Sequence, residues 1–387
     1  MTVKQIYEIM NTVTKETLGT ETVVNEDLSN IVEVGNQFVD KIGVDNYVRK
    51  LNDVIGKMIF VNRVYRGRVP SVLMDGWEYG SIVEKVSAKL PEAYENESWE
   101  LKNGASYDPN IFYKPEVTVS LWNKRVTFEI PISFTEMQVK SSFNSAEQLN
   151  SFISMLYTAV ENSMTIKLDA LIMRTINNFI GLTIATAYQT SVYTGVGNTR
   201  AVNLLALYNA GPNSVGTPLT FPNCLHDSEF MKFASETILN YQDRLKTLST
   251  LFNIGGEARF TPEDKLHVVM LSEFKHSADV YLQSGVYNEE YTKLPNAELV
   301  PFWQGSGTNY SIENTSSINV KTSGNHSVVA SGILAVMFDR DALGVTSQNP
   351  RVTTQYNAKA EFWNEWHKFD AGYFNDTNEN FVVFFAA

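Results

Sequence analysis

The clearest hydrophobic pattern in the chain is a three-four repeat of apolar residues after Ser145-Ala146-Glu147-Gln148, which has the form of a helix capping box. The repeat continues to Phe179, and Gly181 is a natural stop. It predicts one helix over 145–180, roughly 50 Å long and far above average length. The core positions of this helix are Leu149, Phe152, Ile153, Leu156, Val160, Leu168, Leu171 and Ile176.

Strand patterns lie on both sides of this helix. Apolar residues alternate over 117–121 and again over 126–132, around a polar turn at Asn123-Lys124, which predicts a hairpin. Pro131 predicts an edge strand or a strand end. The later elements are strand and loop over 183–223, helices at 227–252 and 273–283, and strands at 266–271, 331–338, 371–374 and 381–385. Together they predict an α+β fold that includes a mixed α/β unit.

The pattern is weaker before the hairpin. Residues 1–60 are polar, and we interpret them as an arm that docks elsewhere, with an N-terminal helical subdomain as the alternative. Residues 65–114, here called the excursion, are interrupted by Gly and Pro and contain one candidate strand at 81–90. The aromatic rings of this region need a surface to bury against, either on a neighbouring subunit or on their own. The candidate intersubunit contacts are Trp77, Tyr79, Tyr94, Trp99 and Tyr107.

Composition narrows the class of protein. With 387 residues, 43% hydrophobic and 19% charged, the chain suits two or three packed globular units. Its formal charge of −12 and its lack of a basic cluster argue against a sequence-independent nucleic-acid binder, so that if the protein encloses DNA, we expect it to do so as a container and not as a ligand. The single Cys224 excludes an intramolecular disulfide. The start lacks a signal-peptide pattern and no apolar run approaches the roughly 20 residues of a membrane span, so we expect synthesis in a cytoplasm and no membrane partner.

Motifs of common enzyme chemistry are absent from the sequence. It contains no phosphate-binding loop, no dinucleotide fingerprint, no nucleophile elbow and no histidine pair at metal-ligand spacing. We therefore expect no catalytic residue, no cofactor, no metal and no enzymatic activity. His267 lies in an apolar strand and is interpreted as a core histidine. Asp339-Arg340-Asp341 could hold a divalent cation, but a solvated turn bridged by Arg340 is the favoured interpretation.

The order of the elements resembles that of the major capsid (major head) protein of tailed bacteriophages, the Hong Kong ninety-seven type fold. Three stretches carry the resemblance: Phe128-Glu129-Ile130-Pro131-Ile132-Ser133 before the helix, residues 266–291, and residues 335–344 with the tail to 384. It implies an N-terminal arm at 1–60, an extended β-hairpin loop with peripheral-domain strands at 61–135, and a spine helix of the peripheral domain at 136–180. An axial domain at 181–330 and a C-terminal return to the peripheral domain at 331–387 complete the expected organisation.

This resemblance implies a structural virion protein that self-assembles into pentamers and hexamers of an icosahedral head around double-stranded DNA, without sequence-specific binding. The expected partners are copies of itself, a portal protein and a scaffolding protein. Because only about 60 residues precede the excursion, we expect scaffolding to be a separate protein. The expected location is the virion, and the host cytoplasm during assembly. The alternatives are a tail or connector component and an enzyme with an unrecognised site.

Overall fold

The computed structural model describes residues 68–74, 83–91, 110–138, 146–188, 195–212, 217–283, 294–303, 316–321 and 327–387, with isolated positions between 7 and 34 and between 93 and 108. Its mixture of helices and sheets confirms the predicted α+β class. The helices are α1 (Ala146–Ala187), α2 (Leu204–Ala210), α3 (Ser228–Leu245) and α4 (Ser272–Gln283). The strands are β1 (Val83–Ala88), β2 (Val117–Trp122), β3 (Arg125–Thr135), β4 (Ala201–Asn203), β5 (Leu266–Leu271), β6 (Glu298–Val300), β7 (Ile318–Lys321), β8 (Ser327–Ala330), β9 (Ile333–Asp339), β10 (Leu343–Asn357), β11 (Phe362–Asn375) and β12 (Phe381–Phe385).

A five-stranded mixed sheet forms one of the two main layers. Its strand order is β4-β12-β9-β5-β6, with β4 parallel to β12 and β6 parallel to β5. All residues of β9 and β12 are buried, which explains why both segments are continuous apolar runs. The helix α3 begins at its cap Asp227, whose carboxylate accepts a 2.8 Å hydrogen bond from the Phe230 N–H.

The second layer is a three-stranded antiparallel sheet of order β10-β11-β3. The pairing of β10 with β11 shifts register between Gln348 and Arg351, where a bulge lies. Pro131 lies in β3, which is an edge strand of this sheet, so the predicted edge position is confirmed.

The helix α1 joins the two layers, because it contacts β3, β10 and β11 on one side and β4, β7 and β12 on the other. Among the predicted core positions, Val160, Leu168, Leu171 and Ile176 are buried. Leu149, Phe152, Ile153 and Leu156 lie within the helix, but their side chains are outside the described part of the chain. At 42 residues, the helix is about 63 Å long.

The predicted stop at Gly181 is wrong, since α1 continues to Ala187. Gly181 lies where the helix passes close to β7, and a Cβ atom there would be 3.2 Å from the Cβ of Val320. The glycine therefore permits close packing and does not end the helix. Residues Val160–Ala187 are apolar and long enough by composition to cross a membrane, contrary to the expectation from the sequence, but most of this stretch is buried inside the fold.

The predicted hairpin over 117–132 is also wrong in its pairing. Both strands exist, but β2 pairs antiparallel with β1 and β3 pairs with β11. The chain changes sheets at the corner 123–124, where the Tyr373 N–H donates a hydrogen bond to the carbonyl of Lys124. Period-two alternation indicated the strands correctly but did not determine their partners.

Other boundaries differ in ways that the packing explains. The helix predicted at 227–252 ends at Leu245, whose carbonyl accepts a hydrogen bond from the N–H of Thr261. The strand-and-loop region predicted over 183–223 contains the end of α1 and the short helix α2. The strand predicted at 371–374 is the end of the 14-residue β11, and β10 was not predicted.

The predicted arm, and the helical subdomain that was its alternative, lie largely outside the described residues. Two described positions of this region, Val13 and Val34, are buried in the same apolar cluster as the core of α1. At these two points, the N-terminal region packs on its own subunit.

Candidate assembly interface

The strand β1 lies within the excursion and β2 lies just after it. Together they form a two-stranded sheet, here called the loop sheet. Its register pairs Val86 with Val119, Ala88 with Val117 and Glu84 with Leu121. Because side chains alternate along a strand, these six residues share one face of the sheet. All six are exposed. We call this surface the outer face.

The opposite face of the loop sheet is polar and lies against the body of the subunit. Lys85, Ser87 and Ser120 on this face are half-buried. Trp122, at the end of β2, packs against the ring of Phe374 with 5.1 Å between ring centroids. The loop sheet is thus amphipathic, but its orientation is the reverse of the usual one. Half-buried polar side chains lie on the side towards its own subunit, and the apolar side chains face outward.

The apolar surface continues beyond the two strands. Eight large apolar side chains between residues 86 and 121 are each between 51% and 84% exposed. They are Val86, Leu90, Ile111, Phe112, Tyr113, Val117, Val119 and Leu121. Soluble monomers rarely expose so much contiguous apolar surface, and such patches mark interaction sites. The composition of this patch is that of the buried centre of a protein–protein interface.

Charged residues at the base of the loop sheet form a compact cluster, here called the charge hub. The Lys85 Nζ donates hydrogen bonds to Asp376 Oδ2 at 2.9 Å, to Glu379 Oε1 at 2.7 Å and to the Asp341 carbonyl at 3.3 Å. The Arg259 Nε lies 3.3 Å from the same Glu379 oxygen, Oε1. The hub joins the loop sheet to the turns that follow β9 and β11.

Burial and charge act in opposite directions within the charge hub. Burial lowers the pKa of Lys85, but hydrogen bonds and charges from Glu379 and Asp376 outweigh it, so the net shift of this pKa is upward. Burial raises the pKa of Glu379, and the positive charges of Lys85 and Arg259 oppose this effect. The carboxylates are dehydrated and depend on Lys85 for compensation.

The two candidate sites of chemistry are structural in this fold. The Asp341 carboxylate pairs with Lys265 at 2.9 Å. The Asp341 N–H donates a hydrogen bond to the side chain of Asp339, which caps the short turn. The predicted bridge by Arg340 is therefore not the contact that holds Asp341. The described residues contain no group of three or more acidic, histidine or cysteine side chains able to hold a metal ion. His267 is half-buried beside the Phe338 ring, and burial lowers its pKa.

The aromatic rings predicted as intersubunit contacts, Trp77, Tyr79, Tyr94, Trp99 and Tyr107, all lie outside the described residues, so their role stays a prediction. The outer face was not predicted. Its signal was present in the alternation of Val117, Val119 and Leu121, from which only a hairpin strand was predicted. Sequence alone does not state which side of a strand the body of the subunit covers.

Comparison with known proteins gives one family. The sequence model of the family described as Phi29-like phage major capsid protein matches residues 9–385. A major capsid protein of Bacillus phage GA-1 is 20% identical over 370 residues, which cover 94% of this chain and 65% of the relative. This chain therefore spans less than two thirds of that relative's length.

Two of the solved structures that are similar to this chain come from phage particles. A chain in the capsid structure of Staphylococcus phage Andhra has a TM-score of 0.49 at 10% identity, covering 84% of this chain and 86% of that one. A chain in the structure of head fiber and inner core protein gp22 of native bacteriophage P68 has a TM-score of 0.49 at 11% identity, with coverage of 84% and 86%.

Proposed function

Because the chain belongs to the family of Phi29-like phage major capsid proteins, we propose that its function is to build a phage capsid from copies of itself, with the outer face of the loop sheet docking on a neighbouring subunit. The family predicted from the sequence is confirmed. The role implied by this family is structural, in agreement with the expected absence of enzymatic activity, and a tail or connector component is not favoured.

The exposure of the outer face is the observation that carries this proposal. An isolated subunit leaves Val86, Val119 and Leu121 in water, and burying one such side chain contributes about 1.5–3 kcal/mol. A second copy of this chain is the proposed occupant, because a capsid subunit meets other copies of itself on every side. Charged residues at the margin, among them Glu84, Lys89 and Glu116, would orient the contact more than strengthen it.

The finer organisation follows the family resemblance. We propose that α1 is the spine helix of a peripheral domain, and that residues 181–330 form an axial domain around the axes of pentamers and hexamers. Closed rings of five and six subunits require heterologous contacts, for which a projecting loop sheet is suited. The predicted anchors in the undescribed part of the excursion would add to the same contact.

The shell would enclose double-stranded DNA as a container. The net charge of −12 supports this role, since counterion-releasing contacts with phosphates need clustered basic residues. A separate scaffolding protein and a portal protein remain proposed partners, the virion the proposed location, and the host cytoplasm the proposed place of assembly. Co-expression with each candidate partner, followed by electron microscopy, tests whether shells form and whether one vertex differs.

A charge placed on the outer face tests the docking surface. In Val119→Asp, a carboxylate would have to be dehydrated in the contact, so we expect shell yield to fall more than tenfold. The fold should remain, because Val119 is exposed in the subunit. Analytical ultracentrifugation and electron microscopy measure the shells, and circular dichroism measures the fold.

The matched control is Thr118→Asp, an exposed neighbour on the other face of the same strand. This control should assemble like the wild type, because the added charge lies outside the outer face. Closed shells from Val119→Asp at wild-type yield would contradict the docking proposal. If the wild-type subunit folds but forms no shells or rings with any candidate partner, the proposed capsid function itself is contradicted.

A further inference from the structure

The loop sheet is attached to its own subunit at a point that differs in kind from an ordinary hydrophobic contact. Lys85, in β1, reaches three acceptors that belong to two different turns. The Asp341 carbonyl belongs to the turn between β9 and β10, while Asp376 and Glu379 belong to the turn between β11 and β12. One ammonium group therefore ties the loop sheet to the junction of the two main layers.

The acceptors of this contact are themselves held in place by the fold. The Asp376 N–H donates to the Ala342 carbonyl at 2.7 Å, and the Asp376 carboxylate accepts from the Asn378 N–H at 3.0 Å. The Gly255 N–H donates to the Thr377 carbonyl at 2.8 Å. The side chains of Asp376 and Glu379 are only 5% and 10% exposed. The anchor is consequently rigid before any partner binds.

The second contact of the loop sheet with the body is the ring pair of Trp122 and Phe374. Apolar contacts are non-directional, so a ring pair alone allows the sheet to slide and rotate. Hydrogen bonds have preferred directions, and three of them from one ammonium group fix its position. Of these two side-chain contacts, Lys85 is the one with the directionality to set an angle.

We propose that Lys85 is a positioning residue, which holds the polar side of the loop sheet in the charge hub and so sets the direction in which the outer face meets the neighbouring subunit. This inference rests on the proposed docking function, since it concerns the orientation of the same outer face. The pKa of Lys85 is raised by Glu379 and Asp376 despite its burial, so the anchor remains charged at neutral pH. Shell curvature depends on this direction, because small angular errors add up around a closed surface.

Removal of the ammonium group tests the anchor. Lys85→Met keeps a side chain of similar length without the charge, but it removes the ion pair of Asp376 and leaves Glu379 with Arg259 as its partner. A second variant, Lys85→Met with Asp376→Asn, removes the anchor and the buried charge of Asp376 together, while Arg259 still compensates Glu379. Lys85→Arg preserves the charge and should restore wild-type behaviour. Lys246→Met is the matched control, since Lys246 is exposed, lies outside the loop sheet and pairs with the exposed Glu263 at 3.3 Å.

Two readouts report the angle of the loop sheet and its consequence. Spin labels at Ala88→Cys and Glu236→Cys, both exposed, give a distance distribution by double electron–electron resonance, and the native Cys224 is buried. We expect both variants without the ammonium group to at least double the width of this distribution. Electron microscopy should show one shell diameter for the wild type and Lys246→Met, and mixed diameters or open sheets for the anchor variants.

The outcomes separate this inference from the proposed function. An unchanged distance distribution, or a broadened one with shells of wild-type diameter, overturns the positioning role of Lys85. If Val119→Asp abolishes shells while the anchor variants assemble normally, docking stands and positioning fails. If Val119→Asp assembles normally, docking fails, whatever the width of the distance distribution.

Discussion

Asp370 is the side chain whose replacement should most clearly reveal how the three-stranded sheet is held together. Its carboxylate accepts two hydrogen bonds from Arg351, at 2.9 and 3.1 Å, one from Thr127 at 2.6 Å and one from Asn349 at 3.1 Å. These donors belong to β3 and β10, on either side of β11. Asn349 has a φ of 52° at the bulge of β10, so Asp370 also fixes an irregular segment.

The pKa of Asp370 gives the magnitude of this effect. Hydrogen bonding to Arg351 is the largest cause, Thr127 and Asn349 add to it, and burial opposes it; together they lower the pKa from 3.8 to about 2. At about 1.4 kcal/mol per pKa unit, the shift corresponds to about 2.5 kcal/mol. Because the Arg351 side chain is 38% exposed and partly screened by solvent, we expect about 1–2.5 kcal/mol.

The sign of the pH dependence follows from the depressed pKa. The contribution of Asp370 to the free energy of unfolding is fully present above pH 3.8 and is lost as the pH falls through about 2. Asp370→Asn should therefore destabilise the subunit at pH 7, and the difference from the wild type should shrink between pH 4 and pH 2. Urea unfolding of the unassembled subunit, followed by circular dichroism, measures both differences.

Glu129→Gln is the matched control for Asp370→Asn. Glu129 and Lys368 are register partners on β3 and β11, with 3.1 Å between their charged atoms, but their side chains are 47% and 29% exposed. Such a pair contributes less than about 1 kcal/mol. If Asp370→Asn costs no more than this control, or if its cost is the same at pH 7 and pH 2.5, the carboxylate does not hold the three strands together.

Two further substitutions test close packing, each against a control on the same kind of backbone. Gly332→Ala should cost at least about 2 kcal/mol in urea unfolding, because φ is +73° and the new Cβ would lie 1.8 Å from the Ala386 carbonyl oxygen; Gly256→Ala, with the same φ and open space, should cost only about 1 kcal/mol, and equal costs would refute the clash. Leu168→Ala should lower the free energy of unfolding by about 2–5 kcal/mol, because Leu168 is buried in α1, whereas Ile166→Ala at a site 62% exposed should change it by less than about 0.5 kcal/mol; similar values for both would show that α1 is not packed as described.

The sequence predicted best those elements whose pattern is set by burial on one side. The helix α1 begins at Ala146, directly after the predicted cap position, and β9 and β12 are apolar apart from the terminal Asp339 of β9, because both of their faces are covered. The end of α1 was missed because Gly181 serves contact with Val320, a reason that depends on a strand more than a hundred residues away. Local rules carry no information about such a partner.

The strand β10 and all of β11 except its end were missed, and for β11 the reason is related. Glu365 and His367 occupy inward positions of β11 and are fully or almost fully buried, between the equally inward Trp363 and Phe369. Polar residues at inward positions remove the period-two contrast from which a strand is predicted. The outer face was missed for a different reason. The alternation in β2 was recognised, but it does not indicate which way the apolar side of the strand faces.

The loop sheet turns an apolar face outward in a subunit that must remain soluble before it assembles. A two-stranded sheet with an apolar face and open edges can pair with the wrong partner. The outer face begins at Glu84, and the exposed Lys89 and Glu116 lie at its other end, so charges border the apolar surface. Charged flanks of this kind oppose edge-to-edge pairing, and the net charge of −12 adds repulsion between free subunits. A single contact must then overcome this repulsion, which makes it weak alone and effective only when many contacts close a shell together.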